Sequence, residues 1–303
     1  MPIAGATGTA TNRSYIQLPT EVSREIMQKT QAQSAVMQLA RQIPLPGRGL
    51  TIPVITSDPV AEWVDETNAK PVSNPGLDKK IMQAYKLAVI VPFSNEFRRD
   101  AAALYDELVR RLPLALAERF DATVFGGVTA PGANFDTFAA ATAQNIGGTS
   151  TYAGLVAADG DIAAHGGILN GFAISPQAKS VLLSAVDGNQ RPLFINSVAE
   201  GAVPMILGAR TVQSRGAYVA GTSGAGGTPN TVGVAGDWTQ AMYGTVEGVR
   251  IDYSSDATLT VGSGASATTI NLFQQNMFAV RAEIEVGFRA DVTVFNRLTT
   301  PAA

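Results

Sequence analysis

A chain of 303 residues with no cysteine, a single histidine (His165) and a formal net charge of −3 leaves few kinds of chemistry open. The missing thiols exclude a disulfide scaffold and cysteine-ligated metal, one histidine is too little for a zinc site or a Ser-His-Asp triad, and the acidic balance is far from that of a protein gripping nucleic acid through its phosphates. The length buries a sizeable core in one large domain or two, and with no apolar run of some 18 residues and no signal-peptide charge pattern at Met1 the chain is expected to be soluble, made without export and free of any membrane.

Residues 1–19 are small, polar and aperiodic, and are expected to form an arm that is unpacked in isolation. From Thr20 the spacing turns helical, through Val22, Ile26, Met27, Val36, Met37 and Ala40, until Pro44, Pro46 and Gly47 end it. Residues 50–56 and 61–64 read as a strand interrupted at Asp58-Pro59, and 79–91 as one long strand of roughly 40 Å. The polar, turn-rich stretch 65–78 joins them. Together they predict a two-stranded ribbon, which is marginal in water by itself and so is expected to lie on another surface.

Residues 94–127 carry the strongest helical periodicity. Leu104, Leu108, Leu112, Leu116, Phe120 and Val124 recur every four residues and stack along one stripe. Arg110, Arg111, Glu118, Arg119 and Asp121 fall largely off it and are expected to face water or a neighbour. Ser94 or Asn95 is the expected cap and Gly126-Gly127 the expected close. Pro113 removes one backbone bond, which predicts a kink or two helices in near-continuation.

The Gly/Ala/Thr-rich passage 128–152 reads as a boundary. A second unit follows, with a short helix over 155–164 ended by His165-Gly166-Gly167 and a buried strand over 171–175. Ser175-Pro176 then opens another helix with its cap and first-turn proline in order. Strand-like stretches at 203–213 and 217–220 precede a flexible surface loop at 221–230. This alternation reads as a compact α+β domain. The chain returns through 232–235 and a strand at 246–253. The clearest strand is 277–288, with Phe278, Val280, Ala282, Ile284, Val286 and Phe288 on one face and Arg281, Glu283 and Glu285 on the other.

Three tempting sites lose to plainer readings. Gly221, Gly226 and Thr228 sit at phosphate-loop spacing, but the lysine position is Gly227, so a flexible loop is the better reading. His165 at a helix end suits a structural role beside the last carbonyls. Glu283 and Glu285 could be an acid/base pair, but Arg281 beside them argues for an ion-pair row. No cofactor, metal or enzymatic activity is expected.

Five blocks bring a resemblance. WVDETNAKP (63–71), AYKLAVIVPFSNEFRRD (84–100), DGNQRPLF (187–194), GDWTQAMYG (236–244) and NLFQQNMFAVRAEIEVGF (271–288) occur in the order of the major capsid proteins of tailed bacteriophages. The chain resembles that family from about Ser23 to Leu298; encapsulin shells and the floor of herpesvirus capsids share the fold. The resemblance implies an α+β phage major capsid fold. It has an N-terminal arm (1–30), an extended β-hairpin loop (49–91), a peripheral domain (31–48, 92–152 and 235–303) and an axial domain (153–234). The peripheral domain would hold a long spine helix at about 94–127 and a long sheet.

It further implies self-assembly into pentamers and hexamers of an icosahedral shell around double-stranded DNA, in a virion assembled in the bacterial host cytoplasm. An encapsulin-type compartment holding an enzyme cargo is the alternative. Implied partners are a portal protein, a separate scaffolding protein, a cement or decoration protein, and packaged DNA contacted without sequence readout. Trp63, Lys70, Lys79, Lys80, Arg98, Arg99, Arg281, Glu283 and Glu285 are the expected inter-subunit contacts. Some shells of the family form an isopeptide bond between a loop lysine and a neighbour's asparagine beside a glutamate. Lys70, Asn296 and Glu283 are the residues available here, although a loop this polar contains lysines on any reading.

Overall fold

The computed structural model describes residues 20–47, 49–57, 76–96, 101–148, 151–186, 189, 191, 193, 205–223, 227–262 and 267–302. The arm (1–19), Trp63, Lys70, Arg98 and Arg99 lie outside the described residues. In chain order the elements are α1 (Thr20–Gln33), α2 (Ala35–Leu39), β1 (Arg41–Pro44), β2 (Leu50–Ser57), β3 (Gly76–Met82), β4 (Tyr85–Ser94), α3 (Ala101–Val124), β5 (Thr142–Asn145), α4 (Thr151–Ala164) and β6 (Gly171–Ile174). There follow α5 (Pro176–Leu183), β7 (Met205–Ile206), β8 (Ala209–Gln213), β9 (Asn230–Gly236), β10 (Ala241–Thr245), β11 (Arg250–Ser254), β12 (Thr258–Val261), β13 (Thr268–Asn271), β14 (Met277–Ala290) and β15 (Phe295–Thr300).

The first sheet is built on β14. Along one edge it pairs with β4 from Met277↔Ser94 to Val286↔Tyr85. Along the other it pairs with β11 and then β10, and β1 runs parallel outside β10. The alternation expected for 277–288 is observed and continues to Ala290: Phe278, Val280, Ala282, Ile284, Val286, Phe288 and Ala290 are buried. They pack in one cluster with Leu112, Leu116, Phe120 and Val124 of α3. Phe138 lies at the cluster's aromatic centre, 4.5 Å from Phe295 and 5.6 Å from Phe288 between ring centroids. At about 1.5–3 kcal/mol for each large side chain removed from water, these rings dominate the cohesion of this half. The passage 128–152 is therefore more than a boundary, because Phe135 and Phe138 enter this core and 142–145 form β5.

The second sheet runs β5-β15-β9-β6-β8-β7. Leu155, Ala158 and Ile162 of α4 and Ala178 and Leu182 of α5 pack with Phe172, Ile174, Val232 and Leu298. It extends beyond the expected 153–234 unit by drawing in 142–145 and 295–300. As expected, Ser175 caps α5, its hydroxyl accepting from the Ala178 N–H, with proline in the first turn.

Several boundaries differ from expectation. Ser94 ends β4, where Phe93 stacks on Phe278 at 5.6 Å and prolongs the strand; its hydroxyl accepts from the Glu96 N–H at 3.4 Å, residues 97–100 lie outside the described set, and α3 is described from Ala101. The far end of α3 agrees: Gly126 takes φ +84° and the Gly127 N–H reaches the Ala122 carbonyl. Pro113 lies within one continuous helix, so the two-helix alternative falls. The helix expected over 20–40 breaks at Ser34, which caps a separate α2, and Pro44 ends a strand. The strand expected over 79–91 is two strands, because β3 pairs with β2 as far as Met82 and β4 joins β14 from Tyr85. The 203–213 strand folds back at Leu207 and Gly208, both at positive φ as a tight hairpin turn requires. The 246–253 strand begins only at Arg250, after the turn around Glu247-Gly248.

Candidate functional site

Every second residue of β14 points away from the core, giving the row Arg281, Glu283, Glu285, Gly287, Arg289. Its first half is an ion-pair row. Arg281 bridges Asp252 at 2.7 Å and Glu283 at 3.1 Å, and Lys86 stands 3.3 Å from Glu285. Partial burial pushes the Asp252 carboxyl up, but the Arg281 hydrogen bond and the charges of Arg250 and Arg281 outweigh it and hold it below its ordinary value. The acid/base reading of Glu283 and Glu285 thus gives way to the plainer one.

At Gly287 the row changes character, because the root of the β2–β3 ribbon crosses it. A Cβ on Gly287 would stand 2.6 Å from the Gln83 carbonyl oxygen and 3.1 Å from the Met82 side chain. Beyond the crossing, Arg289 is buried, with each of its three guanidinium nitrogens donating one hydrogen bond. Nε donates to the Ile81 carbonyl at 2.8 Å, Nη1 to Asp136 at 2.7 Å and Nη2 to Asn134 at 2.9 Å. Asp136 also accepts from the Ala290 N–H at 3.2 Å. Lys80, expected to contact a neighbour, is used inside the subunit: Nζ donates to the Ala290 carbonyl at 3.0 Å and lies 4.0 Å from Asp136. Lys79 is exposed on the same strand, opposite Pro53. Sequence reasoning missed Arg289 and Asp136. The one available signal was a glycine interrupting a charged row, which marks a close backbone approach.

A second knot forms around Asp121. It belongs to a buried row with Pro113 and Ala117, beside the leucine stripe, and not to the solvent face where it was expected. Its carboxylate accepts from Ser34 Oγ at 2.5 Å, Ser214 Oγ at 2.6 Å, Ala35 N–H at 2.8 Å and Val36 N–H at 3.4 Å. It therefore supplies the acceptor for the first donors of α2, while Ser34 caps Met37 N–H. Complete burial pushes the carboxyl up to about 6 in spite of the four donors. One side chain ties α2, α3 and the Ser214 turn together.

Asp237, in the 236–244 block, is a smaller knot. It accepts from Ile168 N–H, Asn170 Nδ2, and both the N–H and hydroxyl of Thr239. Some burial raises its pKa, but these donors more than compensate and hold it below the ordinary carboxylate value. Next to it, Trp238 Nε1 donates to the Gly171 carbonyl. His165 closes α4, its ring nitrogen 2.8 Å from the Asp161 carbonyl, in the structural place expected. The loop 221–230 is closed by the Thr222 and Thr228 backbones at 3.0 Å; its residues 224–226 lie outside the described set.

Two of the three crosslink candidates can be placed, and they stand on different sheets. Lys70 lies outside the described residues. Asn296 is fully buried with its amide donating to the Ala158 carbonyl at 3.2 Å, and Glu283 belongs to the other sheet and pairs with Arg281. Among the described residues no group of three or more His, Cys, Asp or Glu is placed to hold a metal, and no helix is long and apolar enough to cross a membrane. A cavity of about 160 Å³ between Tyr85, Leu87, Phe120, Pro131 and Phe135 is below the ordinary size of a small-molecule site.

What these side chains do is hold segments of chain in fixed relation: a ribbon to a sheet, a short helix to a long one. That is the work of a structural building block. A model of the phage capsid family matches residues 16–293. The chain is 29% identical to the probable major capsid protein gp17 of Mycobacterium phage D29, over 97% of this chain and 92% of that protein. Its fold matches a solved chain of Microbacterium phage Oxtober96 with a TM-score of 0.69 at 22% identity, over 88% of this chain and 91% of that one. A chain of Gordonia phage Cozz gives 0.66 at 20% identity, over 100% and 92%. The chain belongs to the phage capsid family, and its role is structural and not enzymatic.

Proposed function

We propose that the chain is a major capsid protein whose copies close into pentamers and hexamers of an icosahedral shell around double-stranded DNA. The observation that carries this is the ribbon. β2 and β3 form a sheet of their own, joined to no other strand among the described residues. A lone two-stranded sheet is marginal in water, so it gains its stability where a neighbouring copy covers it. Membership of the family over 16–293 supports the same reading. In it, residues 1–30 tie adjacent subunits, 49–91 laps a neighbour, and 153–234 faces the rotation axes while the rest forms the peripheral domain. Closed symmetry lets each chain bury many small surfaces at once.

Trp63, Lys70, Lys79, Arg98 and Arg99 remain the proposed neighbour contacts, with the exposed parts of Arg281 and Glu285. A net charge of −3 supports a DNA contact that is weak and without sequence readout. A portal protein, a scaffolding protein, a decoration protein and assembly in the host cytoplasm belong to the same proposal. Electron microscopy of the purified product tests it, together with nuclease protection. Closed shells protecting DNA are expected. A monodisperse monomer at high concentration would sink the reading, and shells filled with a protein cargo would transfer it to an encapsulin-type compartment, which the phage relatives do not favour.

A further inference from the structure

Because β2 and β3 pair only with each other among the described residues, the direction in which the ribbon leaves the subunit is decided at its root. We propose that Arg289 is a positioning residue for assembly. With Asp136, Lys80 and the glycine notch under Met82, it sets the angle of the ribbon and thereby the contact it makes with the next subunit. This rests on the reading of 49–91 as a loop that laps a neighbour.

The geometry goes beyond what holding two strands together requires. Met82 is fully buried over the paired glycines Gly244 and Gly287, which fixes the height of the ribbon above β14. Height alone leaves rotation free. Arg289 removes that freedom, because its planar fork reaches three acceptors from two segments: the Ile81 carbonyl on the ribbon, and Asp136 and Asn134 on the loop between α3 and β5. Lys80 adds a tie from the ribbon to the Ala290 carbonyl, and Asn134 Nδ2 reaches Gln83 Oε1 at 3.4 Å. Burying a guanidinium is costly unless every donor is satisfied, so an arginine here serves direction better than cohesion. Direction matters at the far end. A tilt of about 10° at the root displaces the end of a seven-residue strand by roughly 4 Å, more than a hydrogen bond tolerates.

The test uses the full chain carrying Asp136→Asn with Lys80→Met, and separately Arg289→Gln. Subunit melting, amide exchange over 79–84, assembly rate by light scattering and particle diameters by electron microscopy are compared with the unaltered chain. The expected result, with assembly read well below each subunit's melting transition, is a lowered but still cooperative melt, faster exchange at the root, assembly slowed at least tenfold, and a broadened diameter distribution. Normal assembly rate and diameters, whatever the exchange shows, overturn the proposal. If the buried substitutions prevent folding, Lys80→Met alone decides it, since that side chain is 40% exposed. The same signs at smaller size are then expected, and unchanged diameters overturn. Deleting 58–75 separates the underlying reading. A deletion that assembles normally overturns the lapping ribbon itself, whereas a deletion that abolishes assembly beside clamp variants that assemble normally overturns only the clamp.

Discussion

Gly244 and Gly287 face each other across the β10–β14 pair, and the hollow left by their missing side chains is filled by Met82 and Leu45. Gly287→Ala would set a methyl group 2.6 Å from the Gln83 carbonyl oxygen, a backbone atom that cannot swing aside. The ribbon root must lift. The expected cost is roughly 1–3 kcal/mol, as for other overpacked sites, read as a lower urea midpoint with accelerated exchange at 81–84. An unchanged midpoint would mean that the crossing is looser than described.

Two arginines on the same row of β14 should behave differently. Arg281 is 45% exposed, and its partner Asp252, itself 15% exposed, keeps Arg250 as a second cation, so Arg281→Met should cost only about 1 kcal/mol and the loss should shrink in salt. Arg289 is 10% exposed. Arg289→Met leaves the Ile81 carbonyl without its donor and the Asp136 carboxylate with only the Ala290 N–H and the more distant Lys80, and should cost about 3–5 kcal/mol with little salt dependence. Equal losses in parallel denaturation curves would contradict the division of the row into a solvated half and a covered half.

Asp121 should give the subunit a definite pH dependence. Its pKa rises from 3.8 unfolded to about 6 folded, so the folded state holds the proton more tightly. The stability from this group is complete below about pH 4 and lost as pH rises through about 6, a change on the order of 3 kcal/mol. Asp121→Asn should remove that slope. Urea midpoints of the dissociated subunit at pH 4, 5, 6 and 7, compared between the two chains, measure it; parallel curves would show that the carboxylate is compensated in the fold.

Asp237 should act in the opposite sense. Its folded pKa lies below the ordinary value, so its contribution is present above that value and lost as pH falls through the lowered one. Asp237→Asn should cost roughly 1–3 kcal/mol at neutral pH and make the chain less sensitive to acid below about pH 4. The difference between the two chains should narrow on acidification. A constant gap across pH 2–6 would refute it.

Residues close in sequence announced their roles; those that act across the chain did not. The alternation of β14, the leucine stripe of α3 and the Ser175-Pro176 start of α5 are local patterns, and each was legible. Asp121 was not, because Ser34 and Ser214 lie 87 and 93 residues away in the chain. On a helical wheel it looks like one more charge beside Glu118. Arg289 was missed for a related reason. Its partners come from residues 81, 134 and 136, and the apolar pattern that defined the strand already seemed complete at Phe288. The continuous run 79–91 concealed a change of sheet, since both halves are strand-like and only the partner differs. Local periodicity specifies elements; it does not say which elements meet.

Fastened at its root and paired with no other strand of its subunit among the described residues, the ribbon is a cantilever. A load applied by a neighbour beyond the root returns to β14 as torque, delivered first to Arg289 and its bonds to Asp136. The adjoining residue is Phe288, whose ring packs against Phe120 and Phe138 in the middle of the core. A shell strained by what it contains would thus pass that stress from one subunit's surface into the aromatic interior of the next.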